Sequence, residues 1–104
     1  MNRRNRKALT FKRILAQTAS SNARCLMRRA WTANRLAKTI NGKARALAYQ
    51  VKTDALVTLT RRFPDKVVLR RDNEHPQMVV VAIAGARFGL HAPRQNFAVV
   101  EGVR

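Results

Sequence analysis

The sequence predicts one α+β domain in which a basic N-terminal arm and a helical hairpin precede a three- to four-stranded antiparallel β-meander. Helical apolar periodicity runs through most of residues 9–62, whereas residues 66–100 contain short β-branched runs separated by turn residues. The segment Phe63-Pro64-Asp65 divides these halves, because a proline disfavours helical conformation in the residue before it. A chain of 104 residues can build one modest core, so we expect residues 9–104 to form a single domain.

Residues 1–8 are predicted to form a flexible arm. Four of the first seven residues are basic, and the segment shows no apolar periodicity. This composition is typical of a segment that becomes ordered only when it binds a partner. A short helix is predicted to follow over residues 9–16.

A long amphipathic helix is predicted to begin after the polar segment 18–22 and to end at Ile40, before the turn Asn41-Gly42. Its apolar stripe alternates spacings of four and three residues, as in the contact between two packed helices. Small side chains in this stripe allow a second helix to approach closely. The stripe consists of Ala19, Ala23, Leu26, Ala30, Ala33, Ala37 and Ile40.

A second helix is predicted to begin near Lys43 and to pack on the first as an αα-hairpin. Residues 55–62 also alternate well enough for a strand, but we assign them to this helix. On the opposite side from its apolar stripe the helix carries Arg45, Tyr49 and Lys52. The apolar stripe consists of Ala44, Leu47, Ala48, Val51, Ala55 and Leu59.

The second half of the chain is predicted to form the sheet. Strands are expected at residues 66–71, 78–84, 87–91 and, as a short last strand, 96–100. The run Val79-Val80-Val81 indicates a strand that is buried on both faces. The helical hairpin would cover one face, and a homodimer partner is the simplest cover for the other.

The charge distribution is the strongest functional signal in the sequence. The first 53 residues contain 14 lysines and arginines and no acidic residue, and the whole chain has a formal net charge of +17. Such a surface repels itself unless a polyanion lies close by, and a phosphate backbone is the commonest polyanion. Of the 22 basic residues 16 are arginines, whose guanidinium both grips phosphate and stacks on bases. We therefore expect a nucleic-acid partner, either RNA or DNA.

The outer face of the first long helix is the main candidate binding surface. Arg24, Arg28, Trp31, Arg35 and Lys38 recur at helical spacing opposite the apolar stripe. We expect the Trp31 ring to lie in the core beneath the sheet, because a lone tryptophan usually contributes its large apolar area there. In the alternative interpretation the ring is exposed and stacks on an unpaired base.

The second helix repeats this arrangement, with a tyrosine between cations. If the turn between the helices belongs to a helix-turn-helix, then Arg45, Tyr49 and Lys52 would read bases. The complete set of candidate nucleic-acid-binding residues is Arg3, Arg4, Arg6, Lys7, Lys12, Arg13, Arg24, Arg28, Trp31, Arg35, Lys38, Arg45, Tyr49 and Lys52.

Catalytic and metal-binding chemistry find little support in the sequence. Cys25, His75 and His91 are scattered without ligand spacing, and among the carboxylates only Asp72 and Glu74 lie near one another. Phosphate-loop and nucleophile-elbow motifs are absent. No apolar run approaches the roughly 18 residues of a membrane span. We therefore expect a protein that is not an enzyme, with no cofactor, no metal and no membrane partner.

Other functional classes remain open at this stage. In composition alone, the chain resembles the small arginine-rich α+β proteins of phages, mobile elements and ribosomes. It could therefore be a phage- or plasmid-type interaction protein, or inhibitor, that docks its basic face on an acidic protein. It could also be a structural protein of the ribosome, or of another ribonucleoprotein, or of the mitochondrion. We expect a cytoplasmic location at the nucleoid or ribosome, with the mitochondrial matrix as the alternative, because residues 1–27 have transit-peptide composition.

Overall fold

Residues 22–97 fold as two α-helices followed by three antiparallel strands, which confirms the predicted α+β class. A computed structural model describes residues 22–97. The predicted arm, the predicted helix at residues 9–16 and residues 98–104 lie outside this range. The elements are α1 (Ala23–Ala37), α2 (Gly42–Arg62), β1 (Val67–Arg71), β2 (Met78–Ile83) and β3 (Leu90–Pro93), with short 3₁₀ turns at Pro64–Lys66 and Arg94–Phe97.

Polar capping fixes the beginning of α1, and a tightened turn ends it. The Asn22 side chain accepts a hydrogen bond from the Cys25 amide at 2.9 Å, as expected from the polar segment before the helix. At the other end the Lys38 amide bonds back to the Arg35 carbonyl at 3.2 Å. The helix therefore stops at Ala37, three residues before the predicted end at Ile40. Gly42 then reverses the chain with φ +62°, a conformation that other residues rarely adopt.

The two helices pack along the predicted stripe of α1, but only along part of the predicted stripe of α2. All five stripe residues within α1 are buried, whereas on α2 burial begins at Ala48. Ala44 and Leu47 are exposed, so their assignment to the packed side is wrong. They lie in the part of α2 nearest the interhelical loop.

Residues 55–62 are helical, as assigned from the sequence. The β-branched residue Thr60 is accommodated because its buried hydroxyl donates to the Leu56 carbonyl at 2.8 Å. Leu56 and Leu59 are both fully buried and pack α2 against the sheet. The core that joins helices and sheet is built around Leu26, Leu56, Leu59, Val79, Val81 and Phe97.

The strands pair in the order β1-β2-β3, with Leu69 and Leu90 both opposite Val81. Val79 and Val81 are fully buried against the helices, but Val80 is only half-buried on the other face. The prediction that the whole valine run is buried on both faces is therefore wrong at Val80. Its cross-strand neighbours there are Arg70 and His91, which make that face partly polar.

The chain itself covers part of this second face. A Cβ atom at Gly89 would lie 2.7 Å from Val80 Cγ1 and 3.0 Å from Ala82 Cβ, so only a glycine permits so close an approach. Ala82 is completely buried as a result. A homodimer partner, which stays a prediction, is therefore not needed to bury Ala82.

The third strand lies later in the sequence than predicted. Arg87 and Phe88 belong to the β2–β3 loop, and pairing begins at Leu90. Pro93 closes the strand at the sheet edge, where the lack of an amide proton is tolerated. At the predicted fourth strand, residues 96 and 97 lie in a 3₁₀ turn that buries Phe97, and the remainder falls outside the described residues. None of the helices within residues 22–97 is both long and apolar enough to span a bilayer.

Candidate nucleic-acid interface

The outer face of α1 presents the predicted basic residues to solvent. Because the buried stripe of α1 faces α2 and the sheet, Arg24, Arg28, Arg35 and Lys38 emerge on the opposite side and are all exposed. Trp31 stands among them with 50% of its surface exposed. The expectation that Trp31 lies in the core is therefore wrong. The aromatic ring that fills the core is Phe97, which is completely buried between the helices and the sheet.

A groove of about 550 Å³ lies between this face and the end of the sheet. The first turns of α1 form one wall, and the other wall comes from the 3₁₀ turn and the end of β2. The two parts of the second wall are tied together by a 2.9 Å hydrogen bond from the Ala84 amide to the Lys66 carbonyl. The groove, which we call the larger groove, is lined by Ala23, Arg24, Met27, Arg28, Trp31, Lys66 and Ile83.

The larger groove combines apolar side chains with cations. Met27 and Ile83 are partly buried hydrophobic residues that pack against the core, so they provide a firm apolar lining. Arg24, Arg28 and Lys66 add three positive charges, and none of the groove's lining residues in the described part of the chain is acidic. The Lys66 ammonium also lies 5.6 Å from the centre of the Phe63 ring, which favours this position of the side chain. The arrangement suits a ligand that is anionic in one part and flat and apolar in another.

A smaller groove of about 260 Å³ lies on the other side of the Trp31 ring. It is lined by Trp31, Thr32, Arg35, Leu36 and Thr39. The Arg35 guanidinium carbon lies 4.7 Å from the centre of the Trp31 ring, in cation–π geometry. Arg35 lines the smaller groove but not the larger one, so it covers the indole from that side. Trp31 therefore lines both grooves, and Arg35 is not among the residues that line the larger one.

The outer face of α2 differs from that of α1, although its sequence pattern is similar. The Arg45 Nε atom donates to the carbonyls of Ala37 and Ile40 at 3.0 and 2.8 Å. Arg45 Nη2 donates to Asn41 Oδ1 at 3.1 Å. The guanidinium thus closes the interhelical loop rather than extending into solvent.

Lys52 is buried, contrary to its predicted place on the outer face. Only 7% of its surface is exposed, and its ammonium lies 5.7 Å from the centre of the Tyr49 ring. Burial lowers the pKa of Lys52 below its usual value, and the nearby charge of Lys38 lowers it further. Tyr49 is 42% exposed but carries this cation against its ring. Base reading by Arg45 and Lys52, as in a helix-turn-helix, does not fit these contacts.

The remaining predicted binding residues lie in the N-terminal part of the chain. Arg3, Arg4, Arg6, Lys7, Lys12 and Arg13 fall outside the described residues. Sequence reasoning also missed four residues of the larger groove: Ala23, Met27, Lys66 and Ile83. Lys66 and Ile83 were assigned only to strands, and no local signal shows that they meet α1.

The structure brings together three polar residues that the sequence left scattered or in a plain turn. Asp72 Oδ2 lies 2.9 Å from His91 Nε2 and 3.3 Å from His75 Nδ1. Partial burial alone would raise the pKa of Asp72, but the amides of Glu74 and His75 and the His75 ring together lower it. Within residues 22–97, no group of three or more histidine, cysteine or acidic residues is arranged to hold a metal ion. Through the Asp72 carboxylate, this cluster links the β1–β2 loop to His91 of β3.

Comparison with known proteins adds no functional information. No protein-family model, curated protein or solved structure matches the chain.

Proposed function

We propose that this protein binds nucleic acid, RNA or DNA, without acting on it chemically, and that the larger groove holds the phosphate backbone. The observation that carries the proposal is the meeting of Arg24, Arg28 and Lys66 around one groove. Arg24 and Arg28 come from α1 and Lys66 from the 3₁₀ turn, and within residues 22–97 no carboxylate lines the groove to neutralise them. Association of this kind is driven largely by the release of counterions from the phosphates.

The overall charge supports the same proposal. A net charge of +17 on 104 residues attracts any polyanion over a long range and speeds encounter with it. The groove adds a defined place where several phosphates can be held after the encounter. We include the basic residues of the N-terminal arm as additional phosphate contacts, since arms of this composition commonly contribute affinity without sequence reading.

The proposal is tested by removing two groove cations and comparing the result with an equal loss of charge elsewhere. Arg28→Gln with Lys66→Gln removes one cation from each wall of the groove. The matched control is Lys43→Gln with Arg70→Gln, because both residues are exposed and neither lines the groove. Exposed charges of this kind usually change folding stability by less than about 0.5 kcal/mol each, so both variants should fold.

Affinity is measured by fluorescence anisotropy with labelled oligonucleotides over a salt series. The groove variant should bind about tenfold more weakly, which corresponds to about 1.4 kcal/mol for two lost phosphate contacts. Its slope of log affinity against log salt should be less steep by about 1.5, whereas the control should stay close to the parent. Equal losses in both variants would show that overall charge, not the groove, governs binding. If the parent binds no oligonucleotide even at about 50 mM salt, the nucleic-acid proposal fails and an acidic protein becomes the better partner class.

A further inference from the structure

We infer that the larger groove receives an unpaired base against Trp31, so that the partner is single-stranded rather than duplex nucleic acid. This inference rests on the proposed function and names the form of its ligand. It follows from three features of the groove: the accessible indole, the apolar lining and the position of the cations around it.

The first feature is the Trp31 ring. Half of its surface is exposed, and Arg35, which lies 4.7 Å from the ring centre, lines the smaller groove but not the larger one. The guanidinium limits the motion of the indole and so lowers the entropy lost when a base stacks on it. A base that enters the larger groove therefore meets a ring that is already positioned.

The second feature is the apolar lining of the groove. Met27 and Ile83 offer nothing to the phosphates and sugars on the outside of a duplex. They can cover the flat face or edge of a base, but a duplex hides those faces within its stack. Unpaired bases expose them, and stacking on aromatic side chains is the usual way in which proteins hold single strands.

The third feature is the distribution of cations on both sides of the ring. Arg24, Arg28 and Lys66 line the larger groove, and Arg35 lines the smaller one. A strand that runs along α1 can place one base against Trp31 and its flanking phosphates on cations in both grooves. Along the helix axis Arg24 and Arg35 are about 16 Å apart, a span that requires more than one nucleotide.

The test compares an oligothymidine, which forms no duplex with itself, with a DNA hairpin that carries the same number of phosphates and whose loop is a non-nucleotide linker, so that every base is paired. Trp31→Ala should weaken binding of the oligothymidine by a factor of about 5 to 100, the usual effect of removing one stacked aromatic ring. Its effect on the hairpin should stay within about twofold. Tyr49→Ala is the matched control, because Tyr49 is also an exposed aromatic residue between cations but lines neither groove. It should leave both affinities near those of the parent.

Trp31 is the only tryptophan of the chain, so its fluorescence reports directly on the groove. We expect oligothymidine to quench this emission and the hairpin to leave it nearly unchanged. Trp31→Phe keeps an aromatic face and should retain most of the affinity, which also covers the case in which Trp31→Ala fails to fold.

The outcomes separate this inference from the proposed function. If parent and Trp31→Ala bind the oligothymidine equally, or if the hairpin binds as tightly and quenches as strongly, the single-strand inference is wrong. The proposed function would still hold in that case, provided that the groove-cation variant weakens binding of both ligands. If neither ligand binds the parent, the proposed function itself fails.

Discussion

The two helices of this protein carry nearly the same sequence pattern on their outer faces, yet the structure uses the two faces differently. On α1, Trp31 and the surrounding arginines project into two grooves. On α2, Arg45 is bonded to the interhelical loop and Lys52 is buried beside Tyr49. The α1 face can accept a ligand, whereas the α2 face holds the hairpin together.

The difference follows from what lies next to each face. On the outer face of α1, Arg24, Arg28 and Arg35 are exposed to solvent. The beginning of α2 lies beside the end of α1, whose last carbonyls need hydrogen-bond donors. Arg45 meets that need at Ala37 and also donates to the Ile40 carbonyl in the interhelical loop. Spacing in a sequence thus places a cation on a face but does not show whether its charge is still available.

The largest expected effect is on the free energy of unfolding. Its absence would contradict the difference between the outer faces of α1 and α2. Arg45→Met should lower the free energy of unfolding by about 2 kcal/mol, because three hydrogen bonds from a charged group are lost. Arg28→Met should change it by less than about 0.5 kcal/mol, since Arg28 is an exposed groove residue. Urea denaturation followed by circular dichroism measures both. Equal stabilities for the two variants would mean that the Arg45 contacts contribute nothing and that the two faces do not differ in this way.

Most of the fold could be predicted from the sequence, because periodicity is a local signal. The stripe of α1 and the buried residues Val79 and Val81 all follow from patterns of 3.6 or two residues. The errors fall where a distant residue decides the outcome. One such case is the choice of the aromatic ring in the core, because Phe97 is buried there and Trp31 is exposed. The late start of β3 is another, because Gly89 first passes close over β2.

The second prediction concerns Lys52, and here pH provides the test. Lys52→Met should raise the free energy of unfolding at neutral pH by about 1 kcal/mol or less, because a buried charge is removed while the apolar stem is kept. Burial lowers the pKa of Lys52 in the folded state. At pH values between this lowered pKa and the pKa of Lys52 in the unfolded chain, the unfolded chain therefore binds more protons than the folded protein. The parent therefore gains stability as the pH rises through the window that ends near 10.5.

The advantage of Lys52→Met should accordingly shrink as the pH approaches 10.5, the usual value for lysine. Denaturation curves of both proteins at several pH values measure this difference. Lys43→Met is the control, because it removes the charge of an exposed lysine from the beginning of the same helix. A constant difference across the pH range would mean that the Lys52 ammonium is solvated, and α2 would then resemble α1.

The candidate site could be predicted only in part, for the same physical reason as the fold. Helical spacing placed Arg24, Arg28 and Trp31 on one face, and the structure agrees. It could not place Lys66 and Ile83 opposite them, because that contact depends on how the sheet docks on the helices. Even adjacent arginines differ: Arg28 is exposed, but Arg29 is 5% exposed and burial lowers its pKa.

The smallest expected effect tests whether Arg35 limits the motion of the Trp31 ring. Arg35→Met should lower the free energy of unfolding by no more than about 0.5 kcal/mol, since an exposed cation–π contact contributes little. The ring should nevertheless move more freely, so acrylamide should quench its emission more strongly than in the parent. Arg35→Lys keeps the charge without the planar group. Its quenching should lie between that of the parent and that of Arg35→Met, because an ammonium stacks less well on an indole than a guanidinium does. If Arg35→Met shows the same quenching as the parent, packing against α1 alone holds the ring. The indole would then still line both grooves, but its orientation would not depend on the guanidinium.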